Sequence, residues 1–315
     1  MRASERLLIG GSHALRRVRD LIRTVAPTRL PVLIHGETGT GKELVACSLH
    51  EESGRRGPLV SFNVCAIAET MFEDSLFGHV RGAFTGAASD SIGLLREADG
   101  GSAFFDEVSG LPASLQPKLL RVIETGVLRP VGGSRDVHSD FRVVTATNDH
   151  LSKLVTAGRF RADLAHRLSG VVIHVPPLRE RAEDIPMLAK HFLGSFCEES
   201  PAVLRPEVMS LMMEREWTGN VREFRQVIEA AAVLGGNVVD AESYSLALSS
   251  RSSDAIQARP SMSPRGRLLA ELERSEWDTR IAAERLGIHR ATVYRWMRRY
   301  NLAPPASAIG RIATC

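Results

Sequence analysis

The sequence is poor in cysteine, and none of its cysteines is spaced to carry information. Cys47, Cys65, Cys197 and Cys315 lie far apart with no CxxC pair, so free thiols are expected, with neither a structural zinc site nor a disulfide framework. Long apolar runs are also missing. No stretch approaches the roughly 20 residues of a membrane span, and Met1-Arg2-Ala3-Ser4-Glu5-Arg6 lacks the apolar length of a secretion signal. These absences favour a cytoplasmic chain with no membrane role. The 315 residues carry a formal net charge of only +3, so charge informs on partners only where it is locally concentrated. No repeat recurs at the periods of solenoids or propellers. What remains is an ordinary globular composition, 43% hydrophobic and 24% charged, long enough for two domains and one large core.

The most informative stretch is Gly36-Glu37-Thr38-Gly39-Thr40-Gly41-Lys42-Glu43, entered from the apolar run Pro31-Val32-Leu33-Ile34-His35 and followed by Leu44-Val45-Ala46. It reads as strand, tight loop and helix. Glycines at 36, 39 and 41 permit the positive φ of a loop wrapped round an anion, with backbone N–H groups turned inward at a helix N-terminus. A nucleoside triphosphate suits such a P-loop, and Lys42 is expected to reach its β and γ phosphates. Glu43 stands where a hydroxyl residue usually meets Mg²⁺. The complementary acidic pair, Asp106-Glu107, ends the apolar run Ala103-Phe104-Phe105, which places both carboxylates at the sheet edge where ligands bind. Asp106 is expected to hold the Mg²⁺ shell of ATP and Glu107 to polarise the attacking water.

The rest of the chain supports an α/β fold. Leu15, Val18, Leu21, Ile22 and Val25 mark a helix before the P-loop. Apolar runs at Leu59–Phe62, Ser102–Phe105, Phe141–Thr145 and Val171–Val175 read as buried strands, alternating with helical segments such as Leu111–Glu124 and Arg161–Leu168. From Glu183 to Leu234 the strand pattern stops, leaving a helical lid with helix starts near Asp184 and Pro206 and after Trp217-Thr218-Gly219-Asn220. The expected layout is an α/β core over 8–175, a lid over 176–240, a serine-rich tether over 241–264, a small all-α module over 265–303 and a tail over 304–315. The tether holds eight serines and two prolines, with Leu246 and Leu248 able to extend the lid by a turn.

Between the two nucleotide motifs stands Gly82-Ala83-Phe84-Thr85-Gly86-Ala87, preceded by Leu76-Phe77-Gly78-His79. Small residues around one aromatic and one hydroxyl describe a loop tip, although spacing alone would also fit a buried Phe84. The unbroken GAFTGA motif resembles that of the AAA+ P-loop ATPase domains of bacterial enhancer-binding proteins, the activators of sigma-54 RNA polymerase, over about Ile9 to Leu234. The resemblance implies that residues 82–87 contact sigma-54, and it accounts for Glu43. It further implies a switch role for Asn63, a sensor role for Thr147 and Asn148, trans-acting arginine fingers at Arg161 and Arg167, and a lid sensor at Arg222. A ring, a hexamer in this family, is implied with them. Val80, Ala165-His166, Asp149-His150 and Thr218 depart from the family pattern without removing a reacting group.

The last module carries nine arginines against five acidic residues between Arg265 and Leu302, a local positive excess suited to phosphate contact and major-groove reading. Ala283, Leu286, Ile288, Val293 and Met297 form a candidate helix-turn-helix core, with Arg290, Ala291, Thr292 and Arg295 facing outward and Arg298 and Arg299 beyond them. The order from Ala282 to Arg295 resembles the Fis-type helix-turn-helix that ends these activators. It implies an upstream, enhancer-like DNA partner. Because the ATPase pattern starts within about ten residues of Met1, the expectation is a chain without a receiver or effector domain, controlled by its concentration or by a separate regulatory protein. The alternative reading is a nucleotide-responsive DNA-binding regulator acting at ordinary promoters.

Overall fold

The computed structural model describes residues 2–196, 202–250, 264–275, 277–286, 290–300 and 302, apart from the side chains of 195, 196, 264–267, 284, 291 and 299. The chain divides into two compact units, Met1–Ser195 with Ser210–Gln226, and Phe196–Met209 with Val227–Cys315.

In chain order the first unit contains α1 (Ala3–Leu7), α2 (His13–Val25), β1 (Val32–His35), α3 (Lys42–Glu51), β2 (Leu59–Asn63), α4 (Glu69–Phe77), α5 (Leu94–Glu97), β3 (Ser102–Asp106) and α6 (Gln116–Thr125). It continues with the hairpin β4 (Val127–Leu128) and β5 (Val137–His138), then β6 (Arg142–Thr147), α7 (Leu151–Thr156), α8 (Ala162–Leu168) and β7 (Val171–His174). Five strands form one parallel sheet in the order β2-β3-β6-β1-β7. These strands are apolar at successive positions because both faces of the sheet are covered. In β1, Val32 and Ile34 pack with α2 and α3, while Leu33 enters the core under α4 to α8. Phe104 and Phe105 of β3 divide in the same way. Each such buried side chain contributes about 1.5–3 kcal/mol.

Several polar anchors fix the chain entering β1. Buried Arg142 donates to the carbonyls of Ala26 (2.6 Å), Val25 (3.0 Å) and Leu30 (3.3 Å), closing the C-terminal end of α2. Burial lowers its pKa to about 10, so it keeps its charge at neutral pH. Ser12 caps α2 by accepting from Leu15 N–H and donates to fully buried Asp184, which also accepts from the N–H groups of Gly11 and Ser12. Leu15, Val18, Ile22 and Val25 are buried as expected, whereas Leu21 is exposed on the flank of the stripe. The helix expected from Leu111 begins only at Gln116. Pro112 follows a 3₁₀ turn over Val108–Gly110, and Pro117 opens α6, where its missing N–H costs nothing.

After a 3₁₀ stretch over Leu178–Asp184 come α9 (Ile185–Phe196), β8 (Val203–Leu204), α10 (Pro206–Glu214), α11 (Asn220–Leu234), β9 (Val238–Val239) and α12 (Ala241–Ser249). Then follow α13 (Pro264–Arg274), α14 (Thr279–Leu286) and α15 (Arg290–Arg299). Residues 241–249 form a nine-residue helix, more than the single turn that composition allowed and not a free tether. The cause is local: Asp240 accepts from Ser243 N–H (2.9 Å) while Ser243 Oγ accepts from Asp240 N–H (3.0 Å). Tyr244 and Ala247 are buried, and Leu246 packs against the helical core of Leu268, Leu272, Ala282, Ala283 and Val293. The expected core residues Leu286 and Met297 pack against the same cluster. Ile288, residues 251–263 and the tail lie outside the described residues.

Candidate functional site

The P-loop follows β1, the strand flanked by β6 and β7, so it emerges at the C-terminal edge of the sheet where the order of strands reverses. Gly39 (φ +81°) and Gly41 (φ +102°) take the left-handed conformation, and α3 starts directly after Gly41. Gly36 does not have positive φ. Its need for glycine is close approach, since a Cβ there would stand 2.9 Å from the Val175 carbonyl oxygen. A Cβ on Gly39 would meet the Gly219 carbonyl oxygen at 2.3 Å. Lys42 is buried, donates to the carbonyls of Gly36 (3.0 Å) and Glu37 (3.4 Å), and has its Nζ 3.8 Å from Glu107 Oε1. Glu43 is exposed in the first turn of α3, a favourable place for an anionic side chain.

The register of β2 with β3 sets Asn63 beside Asp106. The Asn63 amide reaches Asp106 Oδ2 at 3.5 Å, and its Oδ1 accepts from Cys65 N–H. Glu107 faces Lys42. Glu107 has φ +54° and ψ +48°, a strained choice for a non-glycine residue and one that concentrates at working sites. Thr147 is buried at the end of β6 and accepts from Asp149 N–H (2.9 Å). The Asn148 amide reaches Thr38 Oγ1 at 3.5 Å. Beneath the loop, His35 stacks on His150 (4.5 Å) and meets His174 edge-on (5.3 Å). Burial, then the neighbouring His150 and His174, lower the His35 pKa. Sequence reasoning did not single out this cluster.

Arg161 occupies the N-cap position of α8 without a side-chain cap bond and grips Asp163 with two bonds of 3.0 and 2.7 Å on the surface. Arg167 lines a cleft of about 290 Å³ with Arg29, Leu30, Pro31, Ile123, Phe141 and Val143. Pro31 and Phe141 precede β1 and β6, so this cleft opens at the N-terminal edge of the sheet. The P-loop and Asp106-Glu107 lie at the opposite edge.

The GAFTGA segment forms a closed hairpin. Gly82 N–H donates to Ala87 O (2.9 Å), Ala87 N–H to Phe84 O (3.1 Å), and Gly82 and Gly86 have positive φ. Ala83 is half-buried and Ala87 is buried, while Phe84 and Thr85 are exposed. Phe84 meets the His79 ring edge-on at 5.0 Å, and His79 Nδ1 is paired with Asp74. The stem is pinned to the β4–β5 hairpin, with Val80 N–H donating to Val131 O (3.1 Å) and Val131 N–H to Gly78 O (2.8 Å).

In the helical module, Asp278 caps α14 by accepting from Arg280 and Ile281 N–H. Arg290 donates to Thr279 Oγ1 and the Tyr294 hydroxyl, both at 3.1 Å, and lies over the Tyr294 ring. Arg295 and Arg298 are exposed. Thr292 corrects the outward-facing expectation: it is 4% exposed, bonded to Glu242 of α12, and it accepts from Arg295 (3.1 Å). The helical face that carries Val293 also turns Thr292 toward α12. Ala291 and Arg299 lie on α15, with their side chains outside the described residues. Cys47 and Cys65 are free thiols.

A five-stranded parallel sheet with a P-loop at its switch point, an acidic strand end beside the lysine and a helical lid defines an AAA+ P-loop protein, here with a helix-turn-helix module. The sigma-54 interaction domain family matches residues 8–174, an AAA+ ATPase lid domain matches 179–260 and a homeodomain-like domain matches 265–306. The lid match therefore takes in α12. The chain belongs to the sigma-54 activator family. It is 41% identical to the transcriptional regulatory protein ZraR of Klebsiella oxytoca over 91% of this chain and 67% of that protein. It is 47% identical to the anaerobic nitric oxide reductase transcription regulator NorR of Vibrio vulnificus over 72% of this chain and 45% of that one. The crystal structure of NtrX from Brucella abortus in complex with ADP superposes with a TM-score of 0.71 at 32% identity, covering 93% of this chain and 68% of NtrX. No described helix is long and apolar enough to cross a membrane.

Proposed function

We propose that the chain is an ATP-hydrolysing transcription activator that binds an upstream DNA site and remodels closed sigma-54 polymerase complexes into open ones. The observation that carries this reading is one compact unit holding both the closed GAFTGA hairpin, with Phe84 and Thr85 exposed at its tip, and the P-loop with Lys42 3.8 Å from Glu107. Lys42 supplies positive charge to the β and γ phosphates, and the N–H groups of the glycine loop bind their oxygens. Glu107 orients the attacking water as a general base, a contribution of about 10²–10⁴ in rate. Asn63, Thr147, Asn148 and Arg222 surround the same sheet edge as candidates for sensing the γ phosphate.

Among the described residues, no cluster of three or more His, Cys, Asp or Glu side chains can hold a metal by itself. Asp106, beside the phosphate cradle, instead fits a Mg²⁺ ion that would arrive with the nucleotide: it would hold the ion's shell, and the ion would supply neutralisation of phosphate charge. Arg161 and Arg167 complete a neighbour's site in a ring, a role supported by the position of Arg167 at the far edge from its own P-loop. Arg290, Arg295 and Arg298 meet DNA.

The test is capture of sigma-54 by the full chain in the presence of ADP and aluminium fluoride. Retention by the wild type and loss in Thr85→Ala support the reading. A wild-type protein that binds nucleotide yet retains no sigma-54 favours the DNA-binding regulator without a motor role.

A further inference from the structure

Glu37 lies within the phosphate-binding loop, yet its carboxylate turns away from the cradle. Arg179 grips it with two bonds of 2.8 and 2.6 Å, and the Asn220 amide donates to it at 3.1 Å. The next three carbonyls are also held from outside the loop. Asn220 Nδ2 donates to Thr38 O (3.1 Å), Arg222 N–H to Gly39 O (3.2 Å) and the Arg181 guanidinium to Thr40 O (2.9 Å). Asn220 is fully buried, has φ +53° and accepts from Leu178 N–H (2.8 Å), which joins the segment before α9 to the start of α11. Arg181 is 4% exposed.

The C=O and N–H of a trans peptide point in opposite directions. Holding the carbonyls of Thr38, Gly39 and Thr40 outward therefore turns the N–H groups of Gly39, Thr40 and Gly41 toward the cradle, with that of Thr40 also reaching Glu37 O at 3.4 Å. We propose that Arg179 and Asn220, acting through Glu37 and the loop carbonyls, are positioning residues that preset the P-loop for nucleotide phosphates. Glu37 is their handle on the loop and not itself a nucleotide ligand. The inference deepens the ATPase reading and rests on it for its kinetic part alone. An ordinary exposed ion pair would do little. This one is distinguished by its two-pronged geometry and by the buried asparagine that shares the carboxylate.

The experiment compares full-length wild type, Arg179→Ala, Arg179→Lys, Glu37→Gln and the Arg179→Ala/Glu37→Gln double variant. The readouts are ATP KM and kcat, the Kd of a fluorescent ADP analogue, and the melting temperature of the nucleotide-free protein. A preset cradle serves bound ground state and transition state alike, so Arg179→Ala and Glu37→Gln should raise KM and Kd about tenfold while kcat stays within about twofold. The double variant should be no worse than either single one, because both remove the same contact. Arg179→Lys keeps the charge without the fork and should fall between; it also serves if Arg179→Ala melts early. Unchanged Kd and KM, a fall in kcat alone, or additive losses in the double variant overturn the proposal. Wild type that binds the ADP analogue but hydrolyses no ATP defeats the ATPase reading, and the Kd series still decides the role of the positioning residues.

Discussion

Arg167 offers the most quantitative test of ring assembly. It lies at the N-terminal edge of the sheet beside Pro31 and Phe141, whereas Lys42 and Glu107 lie at the C-terminal edge. The four residues of β1 separate these edges, a length of about 13 Å before the loops are added. Arg167→Ala should therefore leave nucleotide binding near normal and lower turnover by about 10³ or more, the scale of an arginine finger. Glu107→Ala should abolish turnover within its own site while still offering Arg167 to its neighbour. In an equal random mixture of the two variants, a site works when its own subunit has Glu107 and the next has Arg167. With head-to-tail interfaces about one site in four meets both conditions, so turnover should recover to about a quarter of wild type. The assay is steady-state phosphate release across mixing ratios, with mixed rings verified by differential tagging. Verified mixed rings that show no recovery at any ratio would refute the trans assignment.

Thr85→Ala removes one exposed hydroxyl from the hairpin tip and no contact to the P-loop. ATP hydrolysis and DNA binding should stay within about twofold of wild type while sigma-54 engagement is lost, and loss of ATPase in assembled rings would place Thr85 in the nucleotide site. Bonding to Arg179 and Asn220 lowers the Glu37 pKa from 4.5 to about 2. A depressed carboxylate pKa stabilises the fold above the unfolded value, and the benefit fades as pH falls from about 4.5 toward 2. Acid melting curves of Glu37→Gln should accordingly show a shallower loss in that window, and identical slopes would contradict the assignment. Glu242→Gln, which takes a negative charge from beside Thr292 and Arg295, should strengthen DNA binding a few-fold in fluorescence anisotropy; weaker binding would make Glu242 a brace of the reading surface.

The sheet was legible because strands buried on both faces are apolar at successive positions, as in Val32-Leu33-Ile34 and Ala103-Phe104-Phe105. The P-loop was legible because its backbone demands glycine at 39 and 41. Groups that act across long sequence distances were not. Arg179, Arg181 and Asn220 meet the P-loop from more than 140 residues away, and no local period marks them. The two-residue strands β4, β5, β8 and β9 are too short to show alternation. The helix at 241–249 was obscured by its serines, although Asp240 and Ser243 at capping distance and Tyr244 and Ala247 three apart were visible signals. Helical spacing alone turns Thr292 outward, because it cannot foresee that α12 covers that face.

ATP hydrolysis by this chain is proposed to open sigma-54 promoter complexes. Open-complex formation can be followed by permanganate reactivity on a sigma-54 promoter carrying an upstream binding site, with full-length protein, sigma-54 holoenzyme and either ATP or a non-hydrolysable analogue. Thymine reactivity at the start site is expected with ATP and none with the analogue. Equal opening with both nucleotides, or opening on an ordinary promoter and none on the sigma-54 promoter, would contradict it.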